Sequence, residues 1–220
     1  PLFPLNCIIP PVIVTLPIRT VTKQVIIKLY DVKGQRLYLT STEREDFLEA
    51  ARKAPREIRT FCFALHYTGC RISEALALTP KLVDLSEKAL IFKTLKKRDK
   101  IIYRAVPIPD EALDTIDMVH GLTEVLNSKK RAILKKPLWP WARMTGFRFV
   151  KSVMDEAGIP DGPHKCPKGL RHGFGVHAIS KGVPLNMLSK WLGHSSLEMT
   201  SIYANALGEE QRDIASRMWS

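Results

Sequence analysis

The sequence predicts a mainly α chain with a small antiparallel β-sheet, an α+β fold. Three observations carry that reading. Apolar residues recur at helical spacing through most of the chain after residue 40, as in TEREDFLEAARKA and TGFRFVKSVMDEAGI, the pattern of helices with one face against a core. Two runs rich in β-branched and aromatic residues, ALIFKTLKK and KIIYRAVPI, meet at a short basic KRD turn, as in a hairpin. No internal repeat, heptad series or low-complexity tract competes with this reading.

In chain order, residues 1–20 read as an irregular or extended arm broken by Pro1, Pro4, Pro10, Pro11 and Pro17. VTKQVIIKLYDVKGQRLYLT reads as two short strands around Val32-Lys33-Gly34. Ser41 or Thr42 is placed to cap the next helix, whose first turn is acidic, and Pro55 interrupts it. REIRTFCFALHYTGC is apolar enough for a buried helix. RISEALAL comes next, with Ile72, Ala75, Leu76 and Leu78 toward the core, then TPKLVDLSEK as a turn, then the hairpin. Pro109 precedes the helix DEALDTIDMVHGL, and SKKRAILKKPLWPW is a basic connector. Phe147, Val150, Val153 and Met154 share a face of the following helix. GPHKCPKG is an irregular approach to the helix LRHGFGVHAISKG. LNMLSKWLG ends at Gly193, Thr200 to Ala206 form a helix carrying Tyr203, and EEQRDIASRMW is a last amphipathic segment.

A chain of 220 residues, 45 % hydrophobic and 25 % charged, suits one substantial core or one domain with a small appendage, not a disordered segment. Lys plus Arg number 34 against 22 Asp plus Glu, and the net charge of +12 favours a polyanionic partner. The four cysteines, Cys7, Cys62, Cys70 and Cys166, form no CxxC pair. Neither a zinc site nor a disulfide framework is expected, which points to a reducing cytoplasm. No apolar run reaches membrane-spanning length, and the first apolar stretch lacks the basic region that begins a signal peptide. No membrane partner is expected.

The residues that carry chemistry are basic and ordered along the chain. Arg71 stands in TGCRISEAL, Arg171 and His172 in KGLRHGFG, His194 in WLGHSS, and Tyr203 comes nine residues after His194. A hydroxyl nucleophile among guanidinium and imidazole groups suits attack on a phosphodiester: the cations counter charge on the phosphoryl oxygens, and the tyrosine holds the phosphate covalently.

This ordered set, TGCRISEAL, the basic hairpin, LRHGFGVHAISKGVPLNMLSKWLGHSS and IYANA, resembles the tyrosine recombinases, also called the phage integrase family, from roughly Leu39 to the end. The resemblance implies that family's catalytic-domain fold over 39–220, with 1–38 as an N-terminal arm or short extended appendage. It implies DNA cleavage and religation through a 3′-phosphotyrosyl intermediate, with no required metal or cofactor. Arg71 and Arg171 would clamp the scissile phosphate, His194 would donate to a phosphoryl oxygen, and Tyr203 would be the nucleophile. A hairpin lysine would be the general acid for the leaving 5′ oxygen. Lys96 is placed in that role, ahead of Lys93, Lys97 and Lys100. Glu74 reads as orienting its basic neighbours. His172 reads either as a hydrogen-bonding member of the site or as a buried structural histidine, and His177 as structural.

One departure stands out. The family commonly carries a histidine three residues before its second clamp arginine, and here that position is Lys168. Lysine can bind a phosphate, but with an ordinary pKa of about 10.4 it is a poorer base near neutrality. His164 is the nearby candidate substitute. The implied partners are double-stranded DNA and a homotetramer on paired DNA sites. Its C-terminal segment would be exchanged between protomers through Ile214, Met218 and Trp219. Accessory DNA-bending proteins complete the set, at a bacterial nucleoid. Lys129, Lys130, Arg131, Lys135 and Lys136 read as a second phosphate grip or as a solubilising loop. Two other functions stay open: a noncatalytic DNA-binding or directionality protein, and a type IB topoisomerase.

Overall fold

The computed structural model describes residues 29–96, 100–128 and 132–205, together with 212, 215, 216, 218 and 219; the side chains of 94–96, 100, 101 and 205 are outside the description. Helix α1 (Ser41–Lys53) begins with a capping box. Thr40 Oγ1 accepts from the Glu43 N–H at 3.2 Å, and the Glu43 carboxylate accepts from the Thr40 N–H at 2.9 Å. The cap is therefore Thr40, one residue before the expected Ser41 or Thr42, because Thr40 and Glu43 close the reciprocal box. Arg36 adds two hydrogen bonds to the same carboxylate.

Helix α2 (Arg56–Thr68) is buried on nearly every side from Thr60 to His66, as its apolar run requires. Gly69 ends it in the left-handed region at φ 59. A Cβ there would fall 2.5 Å from the Phe174 ring, so both backbone and space select glycine. Helix α3 (Ile72–Leu76) begins after a short gap, with Ile72 and Ala75 buried.

TPKLVDLSEK is more than a turn. It holds a 3-10 turn (Pro80–Leu82) and a two-residue strand β1 (Val83–Asp84), which the buried Val83 secures. Strands β2 (Ala89–Lys96) and β3 (Lys100–Pro107) form the expected hairpin, and the antiparallel sheet has the order β1-β2-β3. Phe92 faces Arg104 in the register and both are buried, while Lys93 faces Tyr103 and both are exposed. The KRD turn is outside the described residues. So are residues 21–28; beyond them the expected strand pair is reduced to one bridge, Tyr30 with Arg36, around a turn in which Asp31 accepts from the Lys33 and Gln35 N–H groups.

Helices α4 (Asp110–His120) and α5 (Leu122–Asn127) come next, then a 3-10 turn (Ile133–Lys135) and helix α6 (Arg143–Glu156). The connector is anchored by Trp139, fully buried, whose Nε1 donates to Glu57 O at 3.0 Å. Helix α7 (Pro167–Ser180) starts three residues earlier than LRHGFG suggests, because Pro167 suits the first helical turn. It is the second central helix, buried on most sides and packed beside α2. The buried Arg44 of α1 donates to His66 O and Leu170 O, which ties α1 to both. Helix α8 (Leu185–Leu192), helix α9 (Glu198–Ser201) and a 3-10 turn (Ile202–Asn205) close the described fold. Tyr203 is on that 3-10 turn. No helix among the described residues is long and apolar enough to cross a membrane.

Thr40→Ala removes half of the capping box. The expected loss is about 1 kcal/mol, which for a chain of this size lowers the melting temperature by roughly 2–4 °C. An unchanged melting temperature in a thermal scan would contradict the assigned cap.

Candidate active site

The site grows where α2 ends and α7 begins. Gly69 stops α2, and its free carbonyl accepts from Arg171 Nη1 at 2.7 Å. Arg71, two residues on, caps α3. The Glu74 carboxylate accepts from the Arg71 N–H at 2.8 Å and from Arg71 Nη1 at 3.0 Å. The Arg71 side chain stays 44 % exposed while that of Glu74 is 11 % exposed.

Glu74 has a second partner. Arg104 Nη2, from the buried face of β3, reaches it at 2.6 Å, and Arg104 Nε donates to Trp191 O at 2.7 Å. Arg171 Nη2 donates to Leu192 O at 2.8 Å. The last carbonyls of α8 are thus held by two arginines, where helix ends leave acceptors unpaired and the dipole favours cations. Arg104 also lies over the Phe92 ring, 5.0 Å from its centroid. Burial alone would raise the Glu74 carboxyl. The hydrogen bond and charge of Arg104, with the help of Arg71, bring it below its ordinary 4.5.

Pinning α8 also positions the residues just beyond it. Gly193 ends the helix, and His194 Nδ1 is 2.8 Å from Thr200 Oγ1. The His194 ring stacks on Tyr203 with centroids 6.2 Å apart and planes at 18°. Tyr203 is only 1 % exposed. Its ring rests on α7 at Gly175, where a Cβ would come 2.6 Å from Cζ. Its hydroxyl stands 3.2 Å from His172 Nδ1.

Burial sets the charges. It holds His172 down to about 4, with Lys168 and Arg171 adding to the effect, and His194 down to about 3, with Arg171 and Arg71 adding. Both imidazoles are neutral at pH 7. Burial lowers Arg171 to about 10, leaving it a cation, and raises the Tyr203 phenol to about 12 against the pull of Arg171 and Arg71.

A cleft of ≈ 400 Å³ collects these groups: Arg71, Lys168, Arg171, His172, His194 and Tyr203 all line it. Five of the six residues expected from the sequence therefore meet there. The sixth, Lys96, is the last residue of β2 and its side chain is outside the description. Lys93 points to solvent and is not part of the cleft. Nor is His164, which is buried with Nε2 3.5 Å from Glu43. His177 contacts Ser41 at 3.4 Å, away from the cleft.

Sequence reading missed three contributors. Arg143, at the start of α6, lines the cleft and is exposed. Arg104 left a signal: it is in phase with Val106 and Ile108, both buried, so strand alternation placed an arginine indoors where it needs a carboxylate. Thr200 left none beyond its place three residues before Tyr203. Among the described residues no cluster of His, Cys, Asp and Glu can hold a metal.

Comparison with known proteins fits this geometry. The family model described as the phage integrase family matches residues 37–210, and the chain belongs to that family. It is 31 % identical over 171 residues to tyrosine recombinase XerD of Yersinia pestis, covering 76 % of this chain and 54 % of that protein. The fold is shared with the crystal structure of XerA recombinase, with a TM-score of 0.65 at 22 % identity, over 84 % of this chain and 66 % of that one. It is also shared with XerH site-specific recombinase solved bound to its difH substrate, with a TM-score of 0.62 at 21 % identity, over 87 % of this chain and 60 % of that one. The chain thus spans little more than half the length of the Yersinia recombinase.

Glu74→Gln takes the carboxylate charge away from the buried Arg104 guanidinium. The expected cost is about 3–5 kcal/mol at neutral pH. Because the folded carboxyl sits below its ordinary 4.5, its contribution is complete above that pH and is lost as pH falls through the folded value. Urea unfolding of wild type and variant between pH 7 and pH 3 should therefore show a gap that narrows on acidification; a constant gap would contradict the ion pair. Gly175→Ala forces the Tyr203 ring from its seat, an overpacking cost of about 1–3 kcal/mol that chemical denaturation would detect. A variant as stable as wild type would show that the ring is not held there.

Proposed function

We propose that this chain is the catalytic portion of a site-specific DNA recombinase or integrase, one that cleaves and rejoins double-stranded DNA through a 3′-phosphotyrosyl intermediate. The observation that carries the reading is the shared cleft, which Tyr203 lines together with Arg71, Arg171, Lys168 and two imidazoles. Membership of the phage integrase family supports it, as does the likeness to a recombinase solved on its DNA.

In this reading the phosphodiester enters the cleft and its nonbridging oxygens take the place of water around Arg71 and Arg171. Arg171 spends two of its five N–H donors on the carbonyls of Gly69 and Leu192, so its plane is fixed before substrate arrives. Arg71 is held from one side by Glu74 and is free to adjust on the other. Lys168 adds a cation to the same phosphate. His194, its Nδ1 engaged by Thr200, offers Nε2 to a phosphoryl oxygen. Tyr203 attacks phosphorus in line, and the 5′ oxygen leaves with a proton from a hairpin lysine, assigned to Lys96. The phosphotyrosyl bond conserves the energy of the broken one, so religation is the same path reversed.

Exposed Lys135, Lys136, Arg143 and Arg148 extend the positive surface for phosphate contacts that position the duplex without reading its bases. We assign the catalytic domain to 39–220. The active form is a homotetramer on paired DNA sites, coupled by exchange of the C-terminal segment, whose Met218 and Trp219 are exposed.

The test uses nicked duplex DNA selected by binding from a random-sequence pool, so that the cleaved end diffuses away. Denaturing electrophoresis should show a covalent protein–DNA adduct with wild type and none with Tyr203→Phe. Selected DNA bound by wild type without an adduct would favour a noncatalytic DNA-binding protein, and relaxation of plasmids lacking any paired site would favour a topoisomerase.

A further inference from the structure

Tyr203 must lose its hydroxyl proton as its oxygen bonds to phosphorus. With the phenol raised to about 12, on the order of 10⁻⁵ of it is phenolate at pH 7, so the cleft needs a proton acceptor. Few groups qualify. Arginine and the lysine ammonium have no acceptor site, which removes Arg71, Arg143, Arg171 and Lys168. Cys166 contacts Pro163 O at 3.5 Å. His194 is committed through Nδ1 to Thr200 and lies face to face with the phenol ring.

His172 remains. Its ring is tilted at 51° to the Tyr203 ring, with centroids 5.9 Å apart, and its Nδ1 stands 3.2 Å from the hydroxyl. The residue is only 3 % exposed, and Nε2 has no hydrogen-bond partner among the described residues. Resting on the phosphotyrosyl chemistry proposed above, we infer that His172 is a catalytic residue, the general base that takes the Tyr203 proton on Nδ1 during cleavage and returns it during religation.

The step balances. In the resting protein the hydroxyl donates to Nδ1 and the single ring proton is on Nε2. As the Tyr203 oxygen bonds to phosphorus, its O–H bond breaks and the proton passes to Nδ1. The bond from phosphorus to the 5′ oxygen breaks, and that oxygen takes a proton from the hairpin lysine. In religation the 5′ hydroxyl returns its proton to the hairpin lysine as its oxygen bonds to phosphorus, the bond from phosphorus to the Tyr203 oxygen breaks, and the imidazolium protonates the departing phenolate. Burial keeps His172 neutral beforehand, as an acceptor must be. Lys168 and Arg171 on its own helix oppose its protonation. The bound phosphate and the charge developing on it favour the imidazolium, so the proton moves as the new bond forms.

The test compares wild type with His172→Asn, whose amide reaches the position of Nδ1 without its basicity. Each is made with tyrosine or with a fluorinated tyrosine of lower phenol pKa at position 203. Single-turnover adduct formation is measured on the selected nicked duplex, with melting temperatures recorded for all four proteins. His172→Asn should form adduct about 10²–10⁴-fold more slowly. The fluorinated tyrosine should recover at least tenfold in the variant and change wild type by less than threefold. A variant within a few-fold of wild type, or a slow variant that the fluorinated tyrosine does not rescue, overturns the assignment of His172 alone. No adduct from wild type overturns the phosphotyrosyl reading and this inference with it.

Discussion

The site depends on a closed ring of hydrogen bonds with one buried ion pair in it. Arg71 is held by Glu74, and Glu74 by Arg104. Arg104 grips Trp191 O, the neighbouring Leu192 O is gripped by Arg171, and Arg171 returns to Gly69 O, two residues from Arg71. Five segments meet in this ring: the end of α2, the start of α3, strand β3, helix α7 and the end of α8. Each brings one functional group or supports one. The Glu74–Arg104 pair contributes position more than net stability, since desolvation offsets much of the attraction between buried charges. For the proposed chemistry its value is that Arg71, Arg171 and His194 are positioned in advance, which limits reorganisation during reaction.

The same burial shapes the electrostatics. The buried cation of the cleft, Arg171, is a guanidinium, which stays charged when desolvated, while the imidazoles are pushed to neutrality. A cleft lined by Arg71, Lys168 and Arg171 suits the phosphodiester of the function proposed above. Tyr203 is the cost of the arrangement. Its ring is packed between His194 and Gly175, which orients the hydroxyl but also raises its pKa. In the proposed chemistry a hydroxyl held in this way needs a base, and His172 Nδ1 on α7 is 3.2 Å from it.

Much of this was legible in the sequence. The helical periods, the hairpin and the Gly193 stop were visible because each is a local pattern. The spaced motifs around Arg71, Arg171, His194 and Tyr203 named the cleft residues. What was not legible arises from contacts far apart in the chain. The contact of His172 with the Tyr203 hydroxyl joins residues 31 apart in sequence. The short strand β1 is fixed by pairing with β2, since Val83 and Asp84 alone carry little strand signal. His164 looked available by sequence proximity, yet the fold buries it beside the Thr40–Glu43 capping box, outside the cleft. Arg104 could have been found, because a charge in phase with buried strand positions requires a partner.

The most direct test of the central claim is a crystal structure of the chain on nicked duplex DNA. The account predicts a phosphorus bonded to the Tyr203 oxygen, with nonbridging oxygens at hydrogen-bond distance, about 2.7–2.9 Å, from Arg71 and Arg171, and the ring through Glu74 and Arg104 intact. DNA bound on another face, with Tyr203 still seated on Gly175 and no phosphate near either arginine, would contradict it.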